Sequence, residues 1–346
     1  MTDATPWATQ RRRRWSAGQW APLEVRAAWE EVPGVRSALL VPADGARIEH
    51  APGQFMTFRI PTPDGVVERC YTLSSSAARD GGVEITVKRQ PGAASGALHD
   101  LMQPGMQIEA FGPSGHFGPQ GWPQGPYALV AAGSGVTPML SILRTAADRG
   151  VALDATLVQV APTPEDMIAA TEIAQIARRL PLLTHIPVTT RTTGRPDAAL
   201  LMRLIPDMGS RTVLGCGPQP FMAMVRATAR AAGVPEDRYG EESFDFSSPP
   251  EAVTPAADTR QHTITFAKSG RSFACPESAT VLGAVKAAGL PLPSSCARGV
   301  CGTCKTFKHS GEVTMAHDGG IRQREIDRGF ILPCVSRPLT DIVLDC

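Results

Sequence analysis

The sequence predicts three folded units of different class: a small β-barrel, a parallel α/β sheet, and an α+β unit at the C-terminus. Three observations carry this. Short apolar runs separated by Gly and Pro turns fill the first third of the chain. Strand and helix patterns alternate from Tyr127 onward. Beyond a Pro-rich stretch, four cysteines fall in a spacing that defines the last unit. A length of 346 residues suits two or three domains, and 42% apolar residues with a net charge of +1 suit ordinary soluble cores. Near-neutrality argues against a nucleic-acid or membrane-surface role for the whole chain. No apolar run approaches the length of a membrane span, and no apolar signal segment opens the chain, so a cytoplasmic location is expected.

Residues 1–21 read as a tail. Its basic run, Arg11-Arg12-Arg13-Arg14-Trp15, is not followed by the apolar stretch that a twin-arginine export signal needs, and reads as a solvated basic tail. Residues 22–122 form the barrel. Val25-Arg26-Ala27, Ser37 to Val41, Phe55 to Ile60 and Val83 to Lys88 are its strands. Pro33-Gly34, Pro52-Gly53, Asp64-Gly65 and Gly81-Gly82 are its turns. Short strands with regular turns suggest a barrel, and Leu98 to Met102 reads as a short helix within it. Residues 123–246 alternate: strands at Tyr127–Ala132, Ala155–Val160 and Thr212–Gly215, helices at Met139–Arg149, Glu165–Arg179 and Pro220–Ala232. That alternation implies a parallel sheet. Residues 247–261, with Ser247-Ser248-Pro249-Pro250, lack apolar periodicity and read as a semi-rigid linker. Residues 262–346 are the third unit.

Cys296, Cys301 and Cys304 are separated by four and then two residues, and Cys334 follows after 29 more. This is the plant-type spacing of a 2Fe–2S cluster, which takes and passes single electrons. A zinc site would show two close Cys pairs; here three cysteines crowd one loop. Gly299 and Gly302 in that loop allow positive φ angles that bring N–H groups to the sulfurs. Gly311-Glu312-Val313 reads as a turn into a strand, and Gly329 to Cys334 sets the last ligand on or beside an apolar strand.

Two further segments carry chemistry. In Arg69-Cys70-Tyr71-Thr72, Arg69 can clamp a phosphate, Tyr71 lies on the same strand face with a ring for a planar group, and Thr72 offers a hydroxyl. Any half-exposed strand could also read this way. Lys88 and the small residues around Ser95 lead into the short helix and could meet a pyrophosphate. Gly133-Ser134-Gly135-Val136-Thr137-Pro138 lies between a buried strand and a helix, and Gly215-Cys216-Gly217-Pro218 ends another strand in the same way. In an open parallel sheet both ends can face one crevice. A plain structural turn, and a buried core cysteine at Cys216, are the competing readings.

Taken in order, these motifs, with Glu242-Ser243-Phe244 and the four cysteines, resemble the ferredoxin–NADP reductase superfamily over residues 22–346. More narrowly the chain is similar to flavoprotein reductases with a C-terminal, β-grasp-like 2Fe–2S ferredoxin domain. The segment Met315 to Ile321 resembles reductases that serve Rieske oxygenases acting on glycine betaine, carnitine or proline betaine. The resemblance implies that Arg69 binds flavin phosphates, Tyr71 packs on the isoalloxazine, and Thr72 bonds its reactive nitrogen. Lys88 belongs to the same flavin-side set, and Ser95 would hold the pyrophosphate. Gly133, Gly135, Thr137, Cys216 and Gly217 would serve the nicotinamide side. Glu242 and Phe244 would lie at the flavin, Phe244 over the face the nicotinamide reaches. Thr72, Cys216, Glu242 and Phe244 would be the catalytic set. The stretch from Lys88 to His99 resembles the FAD rather than the FMN branch.

After Val160 stand Ala161-Pro162-Thr163-Pro164-Glu165-Asp166, which offer a ribose 2′-phosphate no cation, so NADH is favoured. Arg191 and Arg195 could reach in from another loop, which leaves NADPH open. The implied path runs from NADH through FAD and the cluster to a terminal oxygenase. A diiron epoxidase, a hybrid-cluster protein, or a flavin-free redox-sensing role are the alternatives. Residues 262–346 hold ten Lys and Arg against seven Asp and Glu, so Arg298, Lys305 and Lys308 could meet an acidic patch on the acceptor, with a solvated rim as the equal alternative.

Overall fold

The computed structural model describes residues 13–16, 18–90, 93–115, 117–118, 125–242, 260–290, 292, 294, 297, 299, 302, 304–317, 320–321 and 323–346. Of the sequence expectations, the linker over 247–259, Ser243, Phe244, Arg298, Cys296 and Cys301 lie outside the described residues.

The first unit comprises β1 (Ala21–Val32), β2 (Val35–Pro42), β3 (Phe55–Thr62), β4 (Gly65–Thr72), β5 (Val83–Lys88), helix α1 (Ala93–Leu101) and β6 (Gln107–Ser114). The strands are antiparallel in the order β4-β3-β6-β1-β2-β5. The two edges meet just past β4: Leu73 bridges Ile85, and Ser74 N–H donates to Glu84 O at 2.8 Å. Closure removes both open edges. Inward residues Leu23, Leu40, Phe58, Ile60 and Ile108 are fully enclosed, with Leu98 and Met102 of the helical segment packed among them. Helix α1 starts earlier than the apolar pattern suggests, because Ala and Ser in its first turn carry no periodicity signal. Arg13 and Arg14, read as part of a solvated tail, have exposed side chains but an anchored backbone. Arg14 bridges Arg47, and Trp15 Nε1 donates to Gly112 O at 2.7 Å.

The second unit runs β7 (Tyr127–Ala132), α2 (Thr137–Arg149), β8 (Ala155–Ala161), α3 (Ala170–Arg179), β9 (Leu183–Thr189), a helical turn α4 (Thr190–Thr193), α5 (Ala198–Leu204), β10 (Thr212–Cys216), α6 (Gln219–Ala231) and β11 (Tyr239–Glu242). All five strands are parallel, in the order β11-β10-β7-β8-β9. The helix expected over Glu165–Arg179 is divided. Thr163 and Asp166 cap a 3-10 turn at Pro164–Asp166, and Ala169, at φ 54°, breaks the path before α3. Strand β9, with Pro187 inside it, was not anticipated; a proline fits there because β9 is an edge strand. One apolar core joins the first two units: Val35, with Val32 and Phe117, packs into the cluster of Leu129, Met139, Leu143 and Leu157.

The third unit contains β12 (Gln261–Phe266), β13 (Ser272–Pro276), α7 (Val281–Ala287), β14 (Thr306–Ser310), β15 (Val313–Met315), α8 (Gln323–Asp327), β16 (Phe330–Ile331), β17 (Ser336–Pro338) and β18 (Ile342–Leu344). The sheet order is β13-β12-β18-β14-β16, with β12 and β18 parallel, and β15 pairs with β17. Val281 and Val285 of α7 pack on Ile264, Phe266, Ile342 and Leu344. A helix laid on a mixed sheet is the α+β, β-grasp-like arrangement expected.

Candidate active site and cluster site

The strand order turns back between β7 and β10, and the loops that follow these two neighbouring strands meet there. The contact is close enough to require glycine. A Cβ on Gly135 would stand 2.2 Å from the carbonyl oxygen of Cys216 and 2.9 Å from Gly217 N. Gly133, at φ 56°, turns the chain into a short 3-10 segment, and α2 then begins at Thr137 with Pro138 in its first turn. Thr137 Oγ1 donates to Ser134 O at 3.0 Å.

The end of β4 faces this crevice. A cleft is lined by Tyr71, Thr72, Lys88 and Ser95 from the barrel and by Ser134 and Thr137 from the second unit. Residues read separately from three sequence segments thus share one site. Thr72 is buried, and its hydroxyl donates to Glu242 Oε2 at 3.3 Å. Glu242 pairs with Cys216 across β11 and β10, which brings Cys216 to the same place. Burial pushes the Glu242 carboxyl up to about 8, against the pull of the Thr72 bond. Burial, and then the nearby Glu242, raise the Cys216 thiol, so it stays protonated rather than serving as a thiolate. Burial lifts the Tyr71 phenol to about 12, partly offset by Arg69, and its ring lies 6.0 Å from that of Phe58. Arg69 donates to Glu68 O. Ser95 Oγ accepts from Gln90 N–H at 2.9 Å and donates to Gln90 O at 3.1 Å, so it also braces the loop entering α1.

Sequence reading missed Thr86 and Gln90 in the cleft wall, and Thr57, whose hydroxyl lies 3.3 Å from Cys70 Sγ. Thr57 and Thr86 are ordinary strand residues and Gln90 lies just past β5, so no local motif marks them. After β8, the carboxylate of Asp166 is held by Thr163, and Arg191 N–H donates to Pro162 O at 3.1 Å. The Arg191 backbone therefore meets the loop that offers Glu165 and Asp166.

In the third unit Cys304 and Cys334 are both buried in one cluster with Leu282, Ile321 and Leu332. Gly299 and Gly302 take φ angles of 72° and 71°. A Cβ on Gly302 would lie 2.7 Å from Gly320 O, and one on Gly299 2.9 Å from Val335. Two buried thiols beside a glycine-tightened loop fit the donor set of an iron–sulfur cluster. Lys305, expected at a docking surface, is turned inward. It is 13% exposed and bonds Glu325 at 2.6 Å, while Lys308 Nζ donates to Gly311 O.

Three family models match in sequence order: an oxidoreductase FAD-binding domain over residues 35–118, an oxidoreductase NAD-binding domain over 129–227, and a 2Fe–2S iron–sulfur cluster binding domain over 264–339. The chain is 36% identical to the stachydrine N-demethylase reductase subunit Stc4 of Rhizobium meliloti, over 96% of this chain and 97% of that one. The chain belongs to the family of FAD- and 2Fe–2S-containing oxygenase reductases. This reductase is also 33% identical to the glycine betaine monooxygenase reductase subunit of Pseudomonas aeruginosa, over 85% and 86% of the two chains. Among solved structures it resembles phthalate dioxygenase reductase, described as a modular structure for electron transfer from pyridine nucleotides to [2Fe–2S]. The TM-score is 0.60 and the identity 26%, covering 94% of this chain and 98% of that one. The reductase is an oxidoreductase with FAD, NADH and a 2Fe–2S cluster as its cofactors. Among the described residues, no helix is long and apolar enough to cross a membrane.

Proposed function

We propose that the reductase takes a hydride from NADH at the cleft between Thr72 and Thr137. It passes the electrons through a cluster on Cys296, Cys301, Cys304 and Cys334 to a Rieske-type oxygenase acting on a quaternary ammonium compound. The observation that carries this is the convergence of Tyr71, Thr72, Lys88, Ser95 and Thr137 on one cleft, with Glu242 bonded to Thr72. FAD, when bound, accepts two electrons as a hydride and gives them up one at a time. The chain's own part is positional and electrostatic. In this reading Arg69 and Ser95 would hold the flavin phosphates, Tyr71 would pack on the ring, and Thr72 would hydrogen-bond its reactive nitrogen in exchange for the bond to Glu242. The Gly133–Pro138 loop and Cys216-Gly217 would seat the nicotinamide, and Phe244, which lies outside the described residues, would cover the ring face. Glu242, kept neutral by burial, can hold a proton beside Thr72 without placing a negative charge against an incoming hydride. Residues 22–122 then serve FAD, 123–246 NADH and 262–346 the cluster, joined by 247–261.

The quaternary ammonium class rests on the two relatives named for stachydrine and glycine betaine. The preference for NADH over NADPH is supported by Glu165 and Asp166 after β8. The free thiols at Cys216 and Cys275 suit a reducing, cytoplasmic compartment. Anaerobic stopped-flow mixing with NADH and with NADPH, following flavin and cluster bands together, tests the order. Flavin bleaching should precede cluster bleaching and be faster with NADH. Purified protein without flavin bands, or a cluster reduced before the flavin, would sink the reading. Turnover of glycine betaine or stachydrine with the matching oxygenase tests the partner class.

A further inference from the structure

Helix α2 carries a stripe of buried and half-buried polar residues that the proposed chemistry does not use. Ser141, Arg144, Thr145 and Asp148 recur at i, i+3, i+4 and i+7, which places them on one face. In an otherwise apolar helix such a face needs partners. Each residue of the stripe has at least one partner across the seam, in the segment that follows Thr72 or in its neighbour β5. Ser141 Oγ donates to Ser75 O at 2.8 Å, and Arg144 donates to Ser74 O at 2.8 Å and to Glu84 at 2.7 Å. Ala77 N–H donates to Thr145 Oγ1 at 2.9 Å. Arg79 forms a two-pronged pair with Asp148 at 2.6 and 3.1 Å. Arg144 also grips Glu172 of α3 with two bonds, at 2.8 and 2.7 Å. Ser74, Ser75, Ser76, Ser141, Arg144 and Thr145 are all buried.

The placement of this seam matters. Ser74 is two residues from Thr72, and Ser141 is one helical turn from Thr137. Thr72 and Thr137 both line the cleft, one from each unit. We infer that α2 acts as a ruler: its polar stripe, centred on Arg144, sets the spacing between the flavin-side Thr72 and the nicotinamide-side Thr137. Arg144 and Ser141 are positioning residues, acting through the backbone of residues 74–77 rather than by touching a cofactor. Hydride transfer is sensitive to such spacing, because reacting atoms must approach to about 3–3.5 Å and a shift of about 1 Å can cost about 100-fold. Arginine suits the central position because its fork reaches α3 of its own unit and two segments of the barrel at once.

This inference rests on the site reading above, and full-length, FAD- and cluster-loaded Arg144→Lys tests it. Lysine keeps the charge but cannot span Ser74, Glu84 and Glu172 together. The limiting rate of flavin reduction per bound FAD should fall about 10- to 100-fold, with the apparent Kd for NADH moving less than about threefold. The isotope effect with 4-deuterated NADH should rise, and the Ala77 amide should exchange faster with solvent. A purely stabilising role would lower the yield of loaded protein but leave the rate per FAD and the isotope effect alone. Should Arg144→Lys fail to retain FAD, Ser141→Ala removes one uncharged bond, with an expected loss of about fivefold. A limiting rate within about twofold of the parent and an unchanged isotope effect overturn the inference, however the amide behaves. A parent protein whose flavin NADH does not reduce would instead overturn the site reading.

Discussion

In the first two units, residues 21–242, functional groups from the barrel and the α/β sheet meet across a seam, where buried polar atoms answer one another. Thr72 meets Glu242, Ser75 meets Ser141, and Arg144 meets Ser74 and Glu84. The third unit, residues 261–346, buries its functional groups differently. Cys304 and Cys334 sit among Leu282, Ile321 and Leu332, and both of its apolar clusters are built from its own residues. The difference follows the chemistry. A hydride moves only between atoms nearly in contact, so two domains must be held at one spacing. A cluster ligand set needs only that one loop and one strand of a single small domain come together, since single electrons cross longer gaps than hydrides do.

The sharpest way to break this comparison is to remove one of the proposed cluster ligands. Cys334→Ser should abolish the iron–sulfur absorption and electron delivery to the oxygenase, while flavin reduction by NADH stays within about twofold of the parent. Loss of flavin reduction as well would show that the third unit supports the first site. Gly135→Ala probes the opposite side. Its methyl must displace the Cys216–Gly217 backbone, so a loss of about 1–3 kcal/mol is expected in the unfolding of residues 21–242. Calorimetry should show that transition falling while the transition of the third unit stays in place.

Glu242→Gln tests the buried carboxyl. In the folded protein it holds its proton up to about 8, against an ordinary value of 4.5. Between those values the folded state binds more protons than the unfolded state, so this group makes stability fall as pH rises through the window. Urea melts from pH 5 to 9 should show a shallower decline in Glu242→Gln; an unaltered slope would mean that the carboxyl is ionised in the fold. The smallest effect is expected at the open end of the α2 stripe. Arg79 is 60% exposed, so Arg79→Ala should cost no more than about 1 kcal/mol, seen as a small drop in urea midpoint. A larger loss would show that the seam's stability is concentrated at its rim.

Much of this was legible in the chain. The spacing of Cys296, Cys301, Cys304 and Cys334 is a local pattern, and the Gly133–Pro138 and Gly215–Pro218 turns follow apolar strands in plain view. Long periodic elements such as α2 and α6 were readable, because burial imposes a 3.6-residue pattern on sequence. The half-exposed edge strand β9 and the divided helix before α3 were not, since Pro187, Thr163 and Asp166 act through local bonds that leave no periodicity.

The sequence by itself determined the order of the three units and the residues it offers to each cofactor, the four cysteines among them. Those are matters of residue type and short spacing. Tertiary structure alone decided that Thr72, 170 residues from Glu242, bonds to it, and that Lys305 turns inward to Glu325. It also decided that the polar face of α2 is spent on the segment behind the flavin motif. Such pairings depend on how a closed barrel seats against an open sheet. No spacing along the chain encodes them, because the partners are brought together by burial of shared apolar surface and then selected by the need of each buried polar atom for a partner.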